Sequence, residues 1–209
     1  MLCKSSLNLL KNTLRIEVVE KPGRFVEERN FELYSGGSRL LVLKCFNGRP
    51  PFYGRWVEVF NVVKTFQLEG TSLPFAGSDY EKTLLSFLAG ELKPGETLFI
   101  EYGYDLETER LLRLGAPSVL TRLGFLLLQL GFTRFRDWYY PEGFMEGGQK
   151  LQCDKPLDGE ARARHLKQLI EEVVSYTPYL TDLRGREGFR GIIVEAIKRA
   201  ELITSGRLA

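Results

Sequence analysis

LPFAGSDYEKTLLSFLAGELKPGETLFIEY, residues 73–102, is the stretch that decides the fold. It holds a loop, a helix, a stop and a short buried strand. Ser78 or Asp79 can cap the helix, with Glu81 and Lys82 in its first turns. Tyr80, Leu84, Phe87 and Leu88 recur at helical spacing and share one face. Gly90 and then Pro94-Gly95 end the helix, and TLFIEY at 97–102 follows as a strand.

Toward the N-terminus the pattern changes from helix to strand. Leu14, Ile16 and Val18 alternate with polar residues, which is the period of a half-buried strand. Lys21-Pro22-Gly23 is a turn, and Phe25 to Tyr34 a second strand. Gly36-Gly37 turns the chain again into Leu40 to Phe46, a continuous apolar run suited to a central strand. Asn47-Gly48-Arg49-Pro50-Pro51 interrupts it, and Trp56 to Leu68 reads as a long strand rich in Val, Phe and Trp.

Toward the C-terminus, residues 105–114 are helical by pattern and Gly115 stops them. Pro117 can open the next helix, which runs to about Leu130, is apolar nearly all round, and ends at Gly131. TRFRDWYYPEG is then a strand and GGQKLQCD its return, joined by a glycine-rich loop. Pro156 and Asp158-Gly159 mark a boundary, so the expected domains are 1–155 and a helical extension, 156–209. The extension carries two amphipathic faces. One is Leu166, Leu169, Ile170, Val173 and Val174; the other is Phe189, Ile192, Ile193, Ala196, Ile197 and Ala200. Two helices make no core alone, so they are expected to pack on the main sheet or on a second subunit, which leaves a homodimer open. Helices alternate with strands only in the middle, which favours α+β with a mixed, mostly antiparallel sheet.

Composition excludes more than it identifies. The chain has 209 residues, 44% hydrophobic and 27% charged, an ordinary globular balance. Lys and Arg total 29 against 27 Asp and Glu, a net charge of +2, too little for a dense phosphate-binding face, so no nucleic-acid partner is expected. The single histidine, His165, rules out a site of several imidazoles, and it is expected to be exposed. Cys3, Cys45 and Cys153 have no metal spacing and no even pairing, so they read as reduced thiols of a cytoplasmic protein, with no metal. MLCKSSLNLLKNTLRIEVVE lacks the continuous apolar stretch of a secretory signal, and LGFLLLQLGF at 123–132 is too short to span a membrane.

Four constellations can carry chemistry. Ala76, Gly77 and Ser78 precede a helix whose free N–H groups and dipole favour an anion; the alternative is a plain capped turn, with Asp79 repelling a phosphate. No GxxxxGK[ST] or GxGxxG is present. EYGYDLETE at 101–109 places Glu101 and Tyr102 at the end of a buried strand, where a carboxylate can take a proton and a tyrosine return one. Its bland counterpart has Tyr102 and Tyr104 as packing and Asp105 as an N-cap. Trp138, Tyr139 and Tyr140 beside Glu142 and Glu146 can line a pocket for a cationic substrate, or form an aromatic strand pair; Tyr104 joins the same substrate set. Arg122, Arg134 and Arg136 can grip phosphate or carboxylate, or pair with nearby acids.

The strings LPFAGSDYEKTLLSFLAGEL, TLFIEY, TRLGFLLLQLGF and TRFRDWYYPEG resemble a prokaryotic, largely archaeal family known only as a domain of unknown function and grouped with the GCN5-related N-acetyltransferase-like superfamily. The resemblance spans roughly residues 65–156. It implies an acetyltransferase-like fold that transfers an acyl group from acetyl-CoA or another acyl-CoA to an amine. On this analogy Phe75, Ala76, Gly77 and Ser78 meet the coenzyme pyrophosphate, and Glu69 or Glu101 is the general base. The superfamily's Arg/Gln-x-x-Gly-x-Gly/Ala loop is absent and only Gly77 remains. Two other readings stand beside it: a non-catalytic module that binds a small ligand or protein, and another group transfer such as methylation from S-adenosylmethionine.

Overall fold

The computed structural model describes residues 3–9, 14–21, 27–35, 38–48, 63–69, 76–103, 105–139, 149–185 and 188–207. The chain divides into two compact units, Met1–Leu84 with Glu96–Glu101, and Leu85–Gly95 with Tyr102–Ala209. The two C-terminal helices therefore share a unit with residues 102–154 rather than standing apart from them.

The first unit is a sheet. β1 (Cys3–Leu9), β2 (Leu14–Lys21), β3 (Glu27–Ser35), β4 (Ser38–Gly48) and β5 (Val63–Glu69) form an antiparallel run, each paired with the next. Register explains the alternation seen in the sequence: Val18, Phe31, Leu43 and Leu68 fall in one cross-strand row. Ile16, Leu33 and Leu41 fall in another, just before an irregularity between Leu33 and Tyr34. β6 (Thr97–Glu101) then pairs parallel to β5. A parallel neighbour requires a crossover, and the crossing segment contains α1 (Asp79–Glu91). The strand expected over 56–68 is described only from Val63; its earlier part lies outside the described residues.

α1 runs through Gly90, so that glycine does not stop it. The real stop is a cap from far along the chain. Lys155 Nζ donates to the carbonyls of Ala89 and, at 3.0 Å, Leu92, placing a cation where the helix dipole is negative. Gly95 then turns the chain with φ +80.

The second unit is mostly helical. It holds α2 (Leu106–Arg113), a 3-10 turn (Ser118–Leu120), α3 (Arg122–Gln129), α4 (Gly159–Leu183) and α5 (Arg190–Thr204). β7 (Arg134–Tyr139) and β8 (Gln149–Asp154) form an antiparallel hairpin, as expected. The single helix expected from Pro117 to Leu130 is instead two pieces. Thr121 divides them: its Oγ1 donates to the Ser118 carbonyl at 2.7 Å and accepts from the Gly124 N–H at 3.0 Å. A side chain that both closes one turn and caps the next ends one helix and starts another. Gly124 is required there, because a Cβ at that position would stand 1.9 Å from the Ser118 carbonyl oxygen.

α4 and α5 pack with each other and with this unit's own elements. Leu169, Val173, Leu180, Ile193, Ala196 and Ile203 join Leu111, Val119 and Leu120 in one buried cluster. Each fully buried Leu, Ile or Val contributes about 1.5–3 kcal/mol, whereas exposed pairs such as Lys198–Glu195 contribute about 0.2–1 kcal/mol, so apolar packing sets the helix pair. Val174, placed by its spacing on the buried face, is 55% exposed. The fold is α+β.

Candidate functional site

The start of α1, the ends of β5 and β6, and the residues after β6 carry most of the expected site. Phe75, Tyr104, Tyr140 and Glu142 lie outside the described residues, and Glu69, Glu101 and Trp138 are described by backbone alone. Glu69 ends β5 and Glu101 ends β6, within the first unit. The parallel register runs from Val63↔Thr97 to Phe66↔Ile100 and stops, while β5 continues to Glu69 against Val42 of β4. Extending that register puts Glu101 level with Gln67. Among the described residues, Gln67, Leu68 and Glu69 therefore have a ladder on one side only.

At the start of α1, Ala76 and Gly77 are exposed and Gly77 has φ +80. Ser78 is the cap: its Oγ accepts from the Glu81 N–H at 3.3 Å. Glu81 reaches back, and its Oε2 accepts from the Gly77 N–H at 2.7 Å. This is the reciprocal arrangement of a Ser-x-x-Glu capping box, shifted one residue upstream on the return side. Glu81 is fully buried. The N-terminal end of α1 therefore already holds a carboxylate, which satisfies one of the amides that an outside anion would use. The sequence held this signal in the spacing Ser78 to Glu81, and the expectation of an open anion site passed over it.

The second unit places Tyr102 and Asp105. Tyr102 is fully buried and its hydroxyl donates to Asp137 Oδ1 at 2.7 Å. Burial first, then the hydrogen bond to Asp137 and its charge, hold the phenol far above its ordinary range, so it keeps its proton. Asp105 is the N-cap of α2. Its Oδ1 accepts from the N–H groups of Glu107 and Thr108, and its Oδ2 from the Thr108 hydroxyl at 2.6 Å and Arg122 Nη2 at 2.7 Å. Of the three arginines, Arg122 is thus committed to Asp105, Arg134 stands 4.0 Å from Asp154, and Arg136 is exposed. Cys153 is fully buried and burial raises its thiol pKa, so it is a packing group rather than a nucleophile.

His165 departs from expectation. It is partly buried, with Nδ1 3.1 Å from Thr133 Oγ1. It lines a groove of about 640 Å³ between β7, α4 and the 3-10 turn, whose walls include Arg134, Arg136, Gln168 and Glu172. Sequence reasoning missed this groove, because β7 and α4 are brought together only by tertiary packing. Among the described residues there is no group of His, Cys, Asp and Glu that could hold a metal ion. No helix among them is long and apolar enough to cross a membrane.

Comparison with known proteins leads to a family rather than an activity. No curated protein matches the chain. A crystal structure of a protein of unknown function from Aquifex aeolicus is similar, with 37% sequence identity, 90% of this chain and 89% of that one covered, and a TM-score of 0.64. The family model described as Protein of unknown function (DUF1122) matches residues 12–181, most of the length, and the chain belongs to that family.

Proposed function

We propose that this chain is an acyl-coenzyme A-dependent N-acyltransferase acting on an amine, on an acetyltransferase-like form of the α+β fold, in the cytoplasm. One observation supports the reading above the others: the parallel pairing runs to Phe66 and Ile100 and β6 ends at Glu101, while β5 runs on to Glu69. Beyond Phe66 no described β6 residue pairs with β5, which leaves an edge on that side of Gln67, Leu68 and Glu69. The amide-bearing arm of coenzyme A is of a kind that can pair along such an edge. Acyl-CoA supplies an activated thioester. The residues of the chain would do the rest: a β5 N–H would polarise the acyl carbonyl, and Glu101, or Glu69 beyond it, would take the proton from the amine as the C–N bond forms, the C–S bond breaks and the leaving thiolate takes up that proton.

The fit is poorer at the start of α1. A pyrophosphate there must compete with Glu81 for the Gly77 amide and tolerate Asp79. That occupied turn favours a second reading, a non-catalytic module that binds a small ligand or protein on the same fold.

Calorimetry with acetyl-CoA, and an assay of thiol release with a panel of amines, separate the two. Ligand at a hundredfold excess over its dissociation constant should stabilise the chain by about 2.7 kcal/mol. The first reading expects saturable acetyl-CoA binding, with transfer abolished by Glu101→Gln or by Glu69→Gln while binding persists. Absence of both binding and thiol release at millimolar acetyl-CoA overturns it.

A further inference from the structure

We infer that β1 is the interface through which two copies of this chain pair, edge to edge and antiparallel about a two-fold axis. The inference is independent of acyl transfer and concerns the first unit alone.

β1 is the outermost strand of that unit, and among the described residues it pairs with β2 only. An outermost strand presents a row of N–H and C=O groups that can template another strand. Folded chains blunt such edges with charge, proline, a bulge or a very short strand. β1 has little of this. CKSSLNL runs for seven residues without proline or glycine, and its pairing with β2 is regular from Cys3↔Glu20 to Leu9↔Leu14. The irregularity at Leu33 and Tyr34 falls between β3 and β4 instead. The one charge of β1 is Lys4, whereas β2 carries Arg15, Glu17, Glu20 and Lys21, and β3 carries Glu27, Glu28, Arg29 and Glu32. The usual order is inverted: charge sits on inner strands, and the edge is the least charged strand of the antiparallel run.

Register and charge select a second copy as the occupant. Laid antiparallel on itself over its full length, β1 sets Ser6 opposite the partner's Ser6, Ser5 opposite the partner's Leu7, and Lys4 opposite the partner's Asn8. No charge then faces a like charge, which is the costly arrangement in a cross-strand pair. The faces also match. The apolar row Leu41, Leu33, Ile16 and Leu7 runs on into the partner's Ser5, the partner's Val18 and the partner's Phe31. A parallel pairing of the same two edges would turn one apolar face over and set Lys4 beside the partner's Lys4. One partner uses up the edge, so the assembly closes as a dimer and does not extend into a filament.

Sedimentation of the full chain between about 1 μM and about 1 mM should pass from monomer to dimer, as suits a small interface. Ser6→Cys reads the register. Directly opposed residues of an antiparallel pair have Cα atoms about 4.5–5.5 Å apart, within reach of a disulfide. Under mild oxidation this variant should give a covalent dimer, while the parent chain, Ser5→Cys and Asn8→Cys should not. Asn8→Asp sets an acid opposite the partner's Lys4 twice over, and opposite Arg15 of its own β2, so it should tighten the dimer about fivefold without harming the fold. The inference is overturned if the parent stays monomeric at about 1 mM. It is equally overturned if Ser6→Cys cross-links no more than the parent, or if Ser5→Cys and Asn8→Cys cross-link as well as Ser6→Cys. A dimer whose affinity ignores Asn8→Asp would also sink it and would direct attention to another surface.

Discussion

α1 and α2 begin in the same way on paper: a strand or turn, a small polar residue, and acids in the first turn. In the molecule they differ. α1 starts at a turn whose Ala76 and Gly77 are exposed, held by the buried Glu81, which accepts from the Gly77 amide, and by Ser78, which accepts from the Glu81 N–H. α2 starts at a buried aspartate with four hydrogen bonds, one of them to Arg122 at the start of α3. Thr108 extends that link, since its hydroxyl also accepts from the Leu123 N–H at 3.2 Å. The hydrogen bonds shown at the first junction lie within one turn of a single helix, whereas the second cannot be opened without separating two helices. Residues near the first are therefore candidates for ligand contact and those near the second for stability.

The largest effect expected from that contrast is at the second junction. Asp105→Ala removes the cap of α2 together with its ion pair to the Arg122 guanidinium, which is 19% exposed. Breaking one side of a largely buried pair costs about 3–5 kcal/mol. Urea denaturation should show it, and a loss under about 1 kcal/mol would mean that water replaces the carboxylate. Gly124→Ala comes next, at about 3 kcal/mol, because the atom that a new Cβ would strike is the Ser118 backbone oxygen, which no rotamer change can move. The same denaturation series tests it. An unchanged midpoint would show that the 3-10 turn shifts freely and is not sealed.

Glu81→Gln probes the first junction and carries a sign that the second cannot. It keeps an acceptor for the Gly77 N–H but removes the charge, so stability should fall by only about 1 kcal/mol. Binding of acetyl-CoA or pyrophosphate should tighten in this variant if the turn is an anion site. If affinity stays the same or weakens, α1 is merely capped and the coenzyme reading loses its pyrophosphate contact.

The same contrast shows what could be read from the sequence. β2, β3, β4 and β6 were legible because each carries its own apolar period or run. β1 was not. CKSSLNL has Ser5, Ser6 and Asn8, poor strand formers, and it becomes a strand at the sheet edge by pairing with β2 from Cys3↔Glu20 to Leu9↔Leu14. The break at Thr121 was hidden for a related reason. The apolar pattern continues across it, and the interruption comes from one hydroxyl bonding backbone on both sides. At the site, Ser78 and Asp105 were recognisable as caps from residue type alone. The burial of Glu81, the engagement of Tyr102 by Asp137 and the groove beside His165 depend on contacts between distant segments, which no local spacing encodes.

The smallest expected effect belongs to His165, and its direction is fixed by the surroundings. Burial lowers its pKa from the usual 6.5, and Arg134 and Arg164 lower it further, while Asp154 opposes them. The unfolded chain therefore takes up the proton at a higher pH than the folded chain does. Stability from this group is fully present above about pH 6.5 and is lost as the pH falls through the folded value. The ring sits at a partly open groove, so solvent screens much of the effect, and the loss should be well below that for Asp105→Ala. Direct titration of the ring proton by NMR gives the folded value. Arg134→Gln should move it back toward 6.5, because it removes the cation with the larger effect of the two while leaving the Thr133 bond in place. A titration at or above 6.5 in the parent chain would show that Asp154 outweighs burial and both arginines.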